Sequence, residues 1–395
     1  NRILAIPIFL AVMFAVFEIT FGAIGSFIID WVDVFINETV AGFISELLVS
    51  AGAAEWLHEL IVNGIIGGMG SMLVFVPQIM ILFFFISLLE DSGYMARAAF
   101  VMDRLLRKFG LSGKSFIPMF MGFGCSTPAV MATRTLENDK DRKLTIMLIP
   151  FMSCGARLPV YALFTAAFFA KNQSLVIFSI YLLGIVVAVL SGIILKNTVL
   201  KGETAPFVME LPPYRIPTLK GIGIHMLDRG KAFVKKAGTV IFAASVVVWF
   251  LQTFNISFQM VEDPADSIFG FIGNLIAPIF APLGFGDWKS AVALLTGFVA
   301  KEVVVATMGI LHGLGEVAED SVELVGALQA SFTPLSAYAF MAFTLLYLPC
   351  VAAFAAIKRE MNSWKWTLFA VGYQTAFAWV VAFIIFQGGR LLGLG

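Results

Sequence analysis

The stretch Gly122–Tyr161 reads GFGCSTPAVMATRTLENDKDRKLTIMLIPFMSCGARLPVY and twice interrupts an apolar, helical pattern. Beside Cys125, Gly124 adds backbone freedom and Pro128 has no N–H, so an α-helix must open there. Cys154 has a proline on each side and marks a second opening. An opened helix leaves polar groups unpaired, which a membrane tolerates only where protein buries them or a cavity receives them. Broken helices of this kind form binding sites near the middle of secondary transporters.

Composition places the chain among membrane proteins. Of its 395 residues, 59% are hydrophobic and 13% are charged, whereas about a quarter of a soluble protein is charged. The formal net charge is zero, so no overall field points to a nucleic-acid partner. Three cysteines cannot all pair within one chain, which favours free thiols over a disulfide framework. We expect an all-α polytopic membrane protein.

Seven runs are long and apolar enough to cross a bilayer, which takes about 20 residues. Two shorter, broken runs, Phe116–Thr133 and Ala291–Ile310, remain beside them. The alternative reading makes both of these full spans, giving nine crossings. The seven runs are Ile3–Ile29, Ile65–Leu89, Leu144–Ala170, Leu175–Leu195, Ala237–Asn255, Leu335–Ile357 and Trp364–Phe386.

The basic residues orient these segments. Most of the 26 Lys and Arg residues lie in four places, at residues 2, 97–143, 196–236 and 358–365, which the positive-inside rule makes cytoplasmic. The stretches 30–59, 257–287 and 312–333 contain no Lys or Arg, so they are predicted to face outward. Phe116–Thr133 should then re-enter from the cytoplasm and Ala291–Ile310 from outside.

An internal repeat supports this arrangement. GFGCSTPAVMATR from Gly122 resembles GFVAKEVVVATMG from Gly297, and PFMSCGARLPVY from Pro150 resembles LYLPCVAAFAAI from Leu346. Each half reads span, re-entrant hairpin, span, span, in opposite orientations, as an inverted repeat requires. The sequence thus predicts four parts: a first helix and outer segment (1–64), a first gate repeat (65–200), a cytoplasmic connector (201–236) and a second gate repeat (237–395).

Two connecting segments look amphipathic. Val34–Leu60 mixes glutamates with aromatic and aliphatic residues, which suits a helix lying on the outward-facing surface of the membrane. The basic Pro212–Lys236 suits contact with anionic lipid on the cytoplasmic side. No nucleotide site is predicted, because the GKS at Gly113 has Lys108 where a phosphate loop needs glycine.

Cys125, Cys154 and Cys350 are the leading metal-ligand candidates. Each lies beside a glycine or proline break, and Cys154 and Cys350 match between the repeats. A single free cysteine is more often an inert core residue, so the shared position carries the argument. Thiols select soft or borderline cations, including Fe(II), Zn(II) and Cu(I).

Intramembrane charges complete the candidate transport path. Glu302 reads as a transient cation ligand or proton carrier, or as the partner of adjacent Lys301 in a buried ion pair. Arg157 follows Cys154 by one helical turn and is expected to hydrogen-bond carbonyls freed by the break. Ser153 belongs to that break. Glu90 and Asp91 end a span at the cytoplasmic face, where they would collect a departing cation or be solvated.

Several segments together resemble the membrane domain of FeoB-type ferrous iron transporters, and the likeness covers essentially the whole chain. The segments are LEDSGYMARAAFVMDR from Leu89, GKSFIP from Gly113, GFGCSTPAVMATRTLE from Gly122, IPFMSCGARLPVYALF from Ile149, AKEVVVATMGIL from Ala300 and LPCVAAFAAIKRE from Leu348.

The resemblance implies Fe2+ transport across the bacterial cytoplasmic membrane, with the family's pore cysteines at Cys125, Cys154 and Cys350. It also implies a nucleoside-transporter-like fold and an N-terminal GTP-binding domain that this sequence does not contain. FeoA- or FeoC-type regulatory proteins and a homo-oligomer are further implied partners. The chain begins at Asn1 and is expected to be part of a longer protein. This part is expected to be a transporter domain and not an enzyme.

Two other functions stay open on the residues alone. A nucleoside or other small-solute transporter of the same fold would present aromatic and amide contacts at the hairpins, where this sequence has cysteines. A membrane thiol oxidoreductase would use a resolving cysteine, and the sequence has no Cys-x-x-Cys.

Overall fold

The computed structural model describes residues 2–52, 54–108, 111–200, 214–215, 217–261, 263–312 and 322–393. Regular structure within these residues is helical, apart from one isolated β-bridge between Phe254 and Met260. The predicted all-α class is confirmed. Much of the predicted connector, residues 201–213 and 216, lies outside the described residues.

Nineteen α-helices follow one another along the described chain. The first ten are α1 (Arg2–Phe21), α2 (Ala23–Asp33), α3 (Ala41–Ser50), α4 (Glu55–Glu59), α5 (Gly68–Asp91), α6 (Tyr94–Lys108), α7 (Phe116–Met121), α8 (Ser126–Ala132), α9 (Asp139–Leu148) and α10 (Leu158–Phe168). The others are α11 (Gln173–Thr198), α12 (Leu219–Thr253), α13 (Ile268–Phe280), α14 (Trp288–Val299), α15 (Val303–Leu311), α16 (Val322–Ser331), α17 (Pro334–Leu346), α18 (Val351–Met361) and α19 (Trp364–Leu391).

Shorter helical turns connect several of these. Two are π-helical, Val34–Val40 and Leu60–Gly67, and fill most of the predicted outer segment together with α3 and α4. The 3₁₀ turns are Gly113–Ser115, Thr133–Thr135, Ile149–Phe151, Gly155–Arg157, Pro264–Asp266 and Ala281–Leu283.

Four helical segments are long and apolar enough to cross a membrane, and two sharply bent helix pairs also qualify if each counts as one span. The four segments coincide with four predicted spans, and the chain is a multi-pass membrane protein. The bent pairs are Val76–Asp91 with Tyr94–Asp103, at 79°, and Ile268–Leu283 with Trp288–Val299, at 102°. The four segments are Asp139–Phe168, Gln173–Thr198, Pro334–Met361 and Trp364–Leu391.

The structure differs from the prediction in three places. The run predicted as an outward loop at 257–287 contains α13, whose first turn is capped by the Ser267 hydroxyl accepting from the Gly270 N–H at 3.0 Å. Thirteen residues are too few to stand out as a span, and the run has no Lys or Arg to orient it. The predicted first span breaks at Gly22, between α1 and α2. The predicted basic segment and the following span form one 35-residue helix, α12.

The described chain divides into two compact groups. The first comprises 1–124, 132–145 and 192–249. Its apolar core includes Val16, Leu89 and Met95, and the Gln78 side chain donates to the Thr20 carbonyl at 3.2 Å. The helix α1 C-terminal turn is thereby fixed against α5, since both ends of this bond are buried.

A polar corner closes the first group at its basic segment. The Asp103 carboxylate accepts from the Gly113 N–H at 2.8 Å. Lys114 donates to the Glu137 carboxylate at 2.8 Å, and this hydrogen bond lowers the pKa of Glu137 below its usual range. These bonds hold the turn before α7 in one conformation.

The second group comprises 125–131, 146–191 and 250–395. Its core is an aromatic cluster around Phe164, whose ring lies 4.9 Å from that of Phe340 and 5.2 Å from that of Phe332. Helix α17 starts at a capping box in which Thr333 and Ser336 bond reciprocally. All three cysteines belong to this group, together with the aromatic cluster.

Candidate functional site

Each of the three cysteines immediately precedes a helix. Cys125 stands before α8, Cys154 before the 3₁₀ turn that leads into α10, and Cys350 before α18. All three are free and partly exposed. A helix starting after each break points its unpaired N–H groups toward the break. Helix openings beside Cys125 and Cys154 were predicted from the neighbouring glycine and proline residues, and the structure has a helix break at each.

The three thiols lie in one neighbourhood of the second group. Cys125 is within electrostatic range of both Cys350 and Cys154. In the part of the chain that the structure describes, however, no three His, Cys, Asp or Glu side chains come together closely enough to hold a metal ion. The convergence of thiols is thus partial, and direct coordination stays a prediction.

Arg157 closes the break at Cys154 from inside. Its side chain is 1% exposed, and its guanidinium donates to the carbonyls of Met152 at 2.8 Å and Pro150 at 3.1 Å. Both carbonyls belong to the interruption, so a buried cation pairs the acceptors that the helix leaves open. No residue in the described part of the chain accepts a hydrogen bond from Nε of the same guanidinium.

Helices α11 and α19 complete the same break. The buried Gln374 amide donates to the Met147 carbonyl at 3.0 Å, one turn before Pro150. Gly184 lies so close to the Phe151 carbonyl that a Cβ there would collide with it. An amide and a glycine on distant helices thus accommodate the opened backbone, and the sequence signalled neither role.

Lys301 pairs a carbonyl in the same way at the break beside Cys350. It is 2% exposed, and its ammonium donates to the Leu348 carbonyl at 2.8 Å while lying 3.2 Å from the centroid of the Tyr347 ring. Leu348 lies two residues before Cys350. The ammonium thus pairs a carbonyl of the break and rests on an aromatic face.

The ion pair considered for Lys301 and Glu302 does not form. Among the described residues no salt bridge joins them, because the ammonium is directed toward Leu348, 47 residues away in sequence. Glu302 directly precedes α15, is partly exposed, and makes no capping hydrogen bond with its side chain. It lies within electrostatic range of Cys350.

Helices α14 and α15 form a folded-back hairpin. The hydroxyls of Thr296 and Thr307 are 2.9 Å apart, although 11 residues of a straight helix would separate them by about 16 Å. Tyr347 donates to the Leu294 carbonyl of α14 at 3.0 Å. Gly297 permits this approach, because a Cβ there would collide with the Tyr347 hydroxyl.

The remaining candidates lie at or near the breaks. Ser153 is 1% exposed and donates to the Tyr161 hydroxyl at 3.3 Å, a partner that the sequence did not indicate. Pro128 is buried in α8, and Gly124, in the first group, packs against the Leu82 side chain. Glu90 and Asp91 are exposed at the end of α5.

Apolar spans, broken helices and buried cations on their carbonyls define a class: the chain is a polytopic helical membrane protein with a broken-helix site. Comparison with known proteins agrees. The Gate family, described as nucleoside recognition, matches residues 72–168 and 234–364. The family described as ferrous iron transport protein B C terminus matches residues 177–229.

Curated relatives give the particular family. The Fe(2+) transporter FeoB of Staphylococcus aureus (strain COL) is 48% identical over 396 residues, which is 99% of this chain and 58% of the relative. The Fe(2+) transporter FeoB of Methanocaldococcus jannaschii is 46% identical over 358 residues, 89% of this chain and 52% of the relative. The Fe(2+) transport protein A/Fe(2+) transporter FeoB fusion protein of Porphyromonas gingivalis is 42% identical over 436 residues, 99% of this chain and 51% of the relative.

The chain belongs to the FeoB family and contains its gate-type membrane domain. It spans a little over half the length of these relatives. No solved structure is significantly similar to it.

Proposed function

We propose that this chain is the membrane domain through which the whole protein transports Fe2+ across the bacterial cytoplasmic membrane. The observation that carries the proposal is the set of three partly exposed thiols, each placed just before a helix and grouped within electrostatic range. Relatives named as Fe(2+) transporters support the choice of cargo.

In this mechanism Cys125, Cys154 and Cys350 bind a partly dehydrated Fe2+ in succession or together. Fe2+ is a borderline cation that thiolates favour, whereas Mg2+ and Ca2+ need oxygen cages. Metal binding releases thiol protons, because the ligand is the thiolate. Glu302, near Cys350, offers a carboxylate for transient binding or for carrying the released proton.

Three carbonyls of the breaks are engaged by side chains in this conformation. Arg157 bonds those of Pro150 and Met152, and Lys301 bonds that of Leu348. We therefore expect water and Glu302 to complete the shell of the bound metal, with these carbonyls joining only if the buried cations move.

The whole protein supplies the other parts. We propose an N-terminal GTP-binding domain outside this sequence, no nucleotide site and no enzymatic activity within it, and a FeoA-type partner, which a fused relative supports. A FeoC-type partner, homo-oligomers and contacts of the basic segments with anionic lipid belong to the same proposal.

Anaerobic Fe2+ uptake into liposomes containing the full-length protein tests the proposal. Cys125→Ser, Cys154→Ser and Cys350→Ser should each reduce uptake strongly, while Ser331→Ala, at the exposed end of α16, should not. Uptake that is normal in all three cysteine variants would contradict the assignment of ligands.

Two parallel assays address other functions. The Gate family's description makes nucleoside transport a specific alternative, so labelled nucleoside is tested in the same liposomes. Nucleoside uptake without Fe2+ uptake would replace the iron proposal. Reversible disulfide formation at a defined potential, without transport, would instead favour a thiol oxidoreductase.

A further inference from the structure

Several groups around Lys301 stabilise a positive charge. Its ammonium has a carbonyl oxygen at 2.8 Å, from Leu348, and the face of the Tyr347 ring at 3.2 Å from the centroid. It is also within electrostatic range of the Arg157 guanidinium, whose like charge opposes it, and of Cys350, Cys154 and Glu302. Oxygen dipoles, an aromatic face and nearby thiols are groups that stabilise positive charge of any origin.

This ammonium has no carboxylate bonded to it. Within the described ranges no salt bridge joins Lys301 to an acidic side chain, Glu302 included. The groups around its charge are the Leu348 carbonyl, the Tyr347 ring, the thiols and the Glu302 carboxylate, and a metal ion entering at Cys350 would draw on the same thiols, carbonyl and carboxylate. Two cations in so small a volume repel each other, strongly so where water is scarce.

The contacts of Arg157 differ from those of Lys301 in a way that distinguishes a purely structural cation from one that could exchange with a metal ion. Its guanidinium bonds two carbonyls of its own segment, five and seven residues upstream, in a planar two-point contact. Lys301 reaches a separate segment through a single hydrogen bond at the end of a flexible chain. Arg157 is therefore held by two hydrogen bonds, whereas only one has to break before the Lys301 ammonium leaves its carbonyl.

We propose that Lys301 is a tethered cation that competes with the transported metal at the break beside Cys350. In the empty protein its ammonium occupies the Leu348 carbonyl, and Fe2+ arriving at Cys350 displaces it. The returning ammonium then lowers the affinity for the metal and helps its release. Lys301 is a positioning residue in this scheme, and the inference rests on the function proposed above.

The test is anaerobic Co2+ binding to the full-length protein in detergent, followed by thiolate-to-metal charge-transfer absorption. Removing the charge with Lys301→Met should tighten binding by about tenfold or more, because the repulsion disappears. Lys301→Arg keeps the charge and should bind no tighter than the unmodified protein. Lys358→Met is the matched control, since Lys358 also rests on an aromatic ring, that of Trp364, 4.6 Å away.

A structural role for Lys301 predicts the opposite sign. If the ammonium only braces the break, Lys301→Met weakens both folding and metal binding. A folded Lys301→Met protein that binds Co2+ no tighter than the unmodified protein would overturn the inference.

A second pair of variants keeps the test valid if Lys301→Met does not fold. Tyr347→Leu removes the ring beneath the ammonium and should tighten Co2+ binding, whereas Tyr347→Phe keeps the ring and should not. Equal effects of the two would contradict the competition.

Cys350→Ser separates this inference from the proposed function. If the charge-transfer absorption persists unchanged in Cys350→Ser, or if no variant shows it, Cys350 is not a metal ligand. The competition and the proposed transport path both depend on that ligand and would both fail. Absorption that requires Cys350 but ignores Lys301 defeats the competition alone and leaves the transport proposal standing.

Discussion

The guanidinium of Arg157 donates a 2.8 Å hydrogen bond to the carbonyl oxygen of Met152, inside the same interrupted span. The opened helix is thus stabilised by a buried charge that comes from its own next turn. A buried carbonyl left unpaired inside a membrane costs on the order of several kcal/mol, because lipid offers no donor to replace the bond.

Arg157→Met is expected to destabilise the protein by about 2–4 kcal/mol, since two buried carbonyls lose their donors. The midpoint of thermal unfolding in detergent should fall accordingly, and Fe2+ uptake should fall with it. Arg390→Met, at an exposed position of α19, serves as the control. An unchanged midpoint for Arg157→Met would show that other groups satisfy these carbonyls.

The sequence located the breaks well and their partners poorly. Glycine and proline act on the local backbone, so the openings at Cys125 and Cys154 follow from the residues beside them. The donor for a freed carbonyl can come from anywhere in the fold. Arg157 could be anticipated because it lies one turn away, whereas Lys301 bonds to Leu348 across 47 residues.

Helix α13 was missed for a different reason. A rule based on span length and basic charge cannot detect 13 apolar residues in a stretch that has no Lys or Arg. The aromatic packing around Phe164 in the same group was also out of reach, because contacts among phenylalanines depend on helix placement and not on sequence spacing.

The three partly exposed thiols should react with small thiol reagents. In folded protein that keeps all three cysteines, Cys125, Cys154 and Cys350 should each be labelled by a small methanethiosulfonate, with peptide mass spectrometry assigning the label to each position. Fe2+ added anaerobically should slow labelling at each, since a bound metal occupies the sulfur, while Mg2+ should not. Labelling that is indifferent to Fe2+ at all three positions would contradict the proposed ligands.

Gly297 is expected to tolerate no side chain. In Gly297→Ala the new Cβ would collide with the Tyr347 hydroxyl and the Val304 side chain, so the hairpin or the tyrosine must shift. Overpacking of this kind costs about 1–3 kcal/mol, measurable as a lower unfolding midpoint.

Combining Gly297→Ala with Tyr347→Phe identifies the cause of that loss. The second change removes the colliding hydroxyl, so the two effects should be less than additive by about 0.5 kcal/mol or more. Strict additivity would mean that Val304 alone is responsible. Gly372→Ala, where a Cβ would meet nothing, is the control for the general effect of replacing glycine in a helix.

The hairpin of α14 and α15 makes the sharpest prediction about the fold. With the native cysteines replaced by serine, Thr296→Cys and Thr307→Cys together should form a disulfide on mild oxidation, because the two hydroxyls they replace are 2.9 Å apart. A continuous helix through residues 300–302 would hold the same positions about 16 Å apart, far beyond the reach of a disulfide. Pairing Thr296→Cys with Ile310→Cys, whose native side chain is exposed, gives a control that should stay reduced. Mass spectrometry after thiol alkylation counts the free thiols in both. If both introduced cysteines of the Thr296→Cys, Thr307→Cys variant stay fully alkylated, the folded-back hairpin is contradicted, and a full span through this segment, one of the two that the nine-crossing arrangement requires, is favoured.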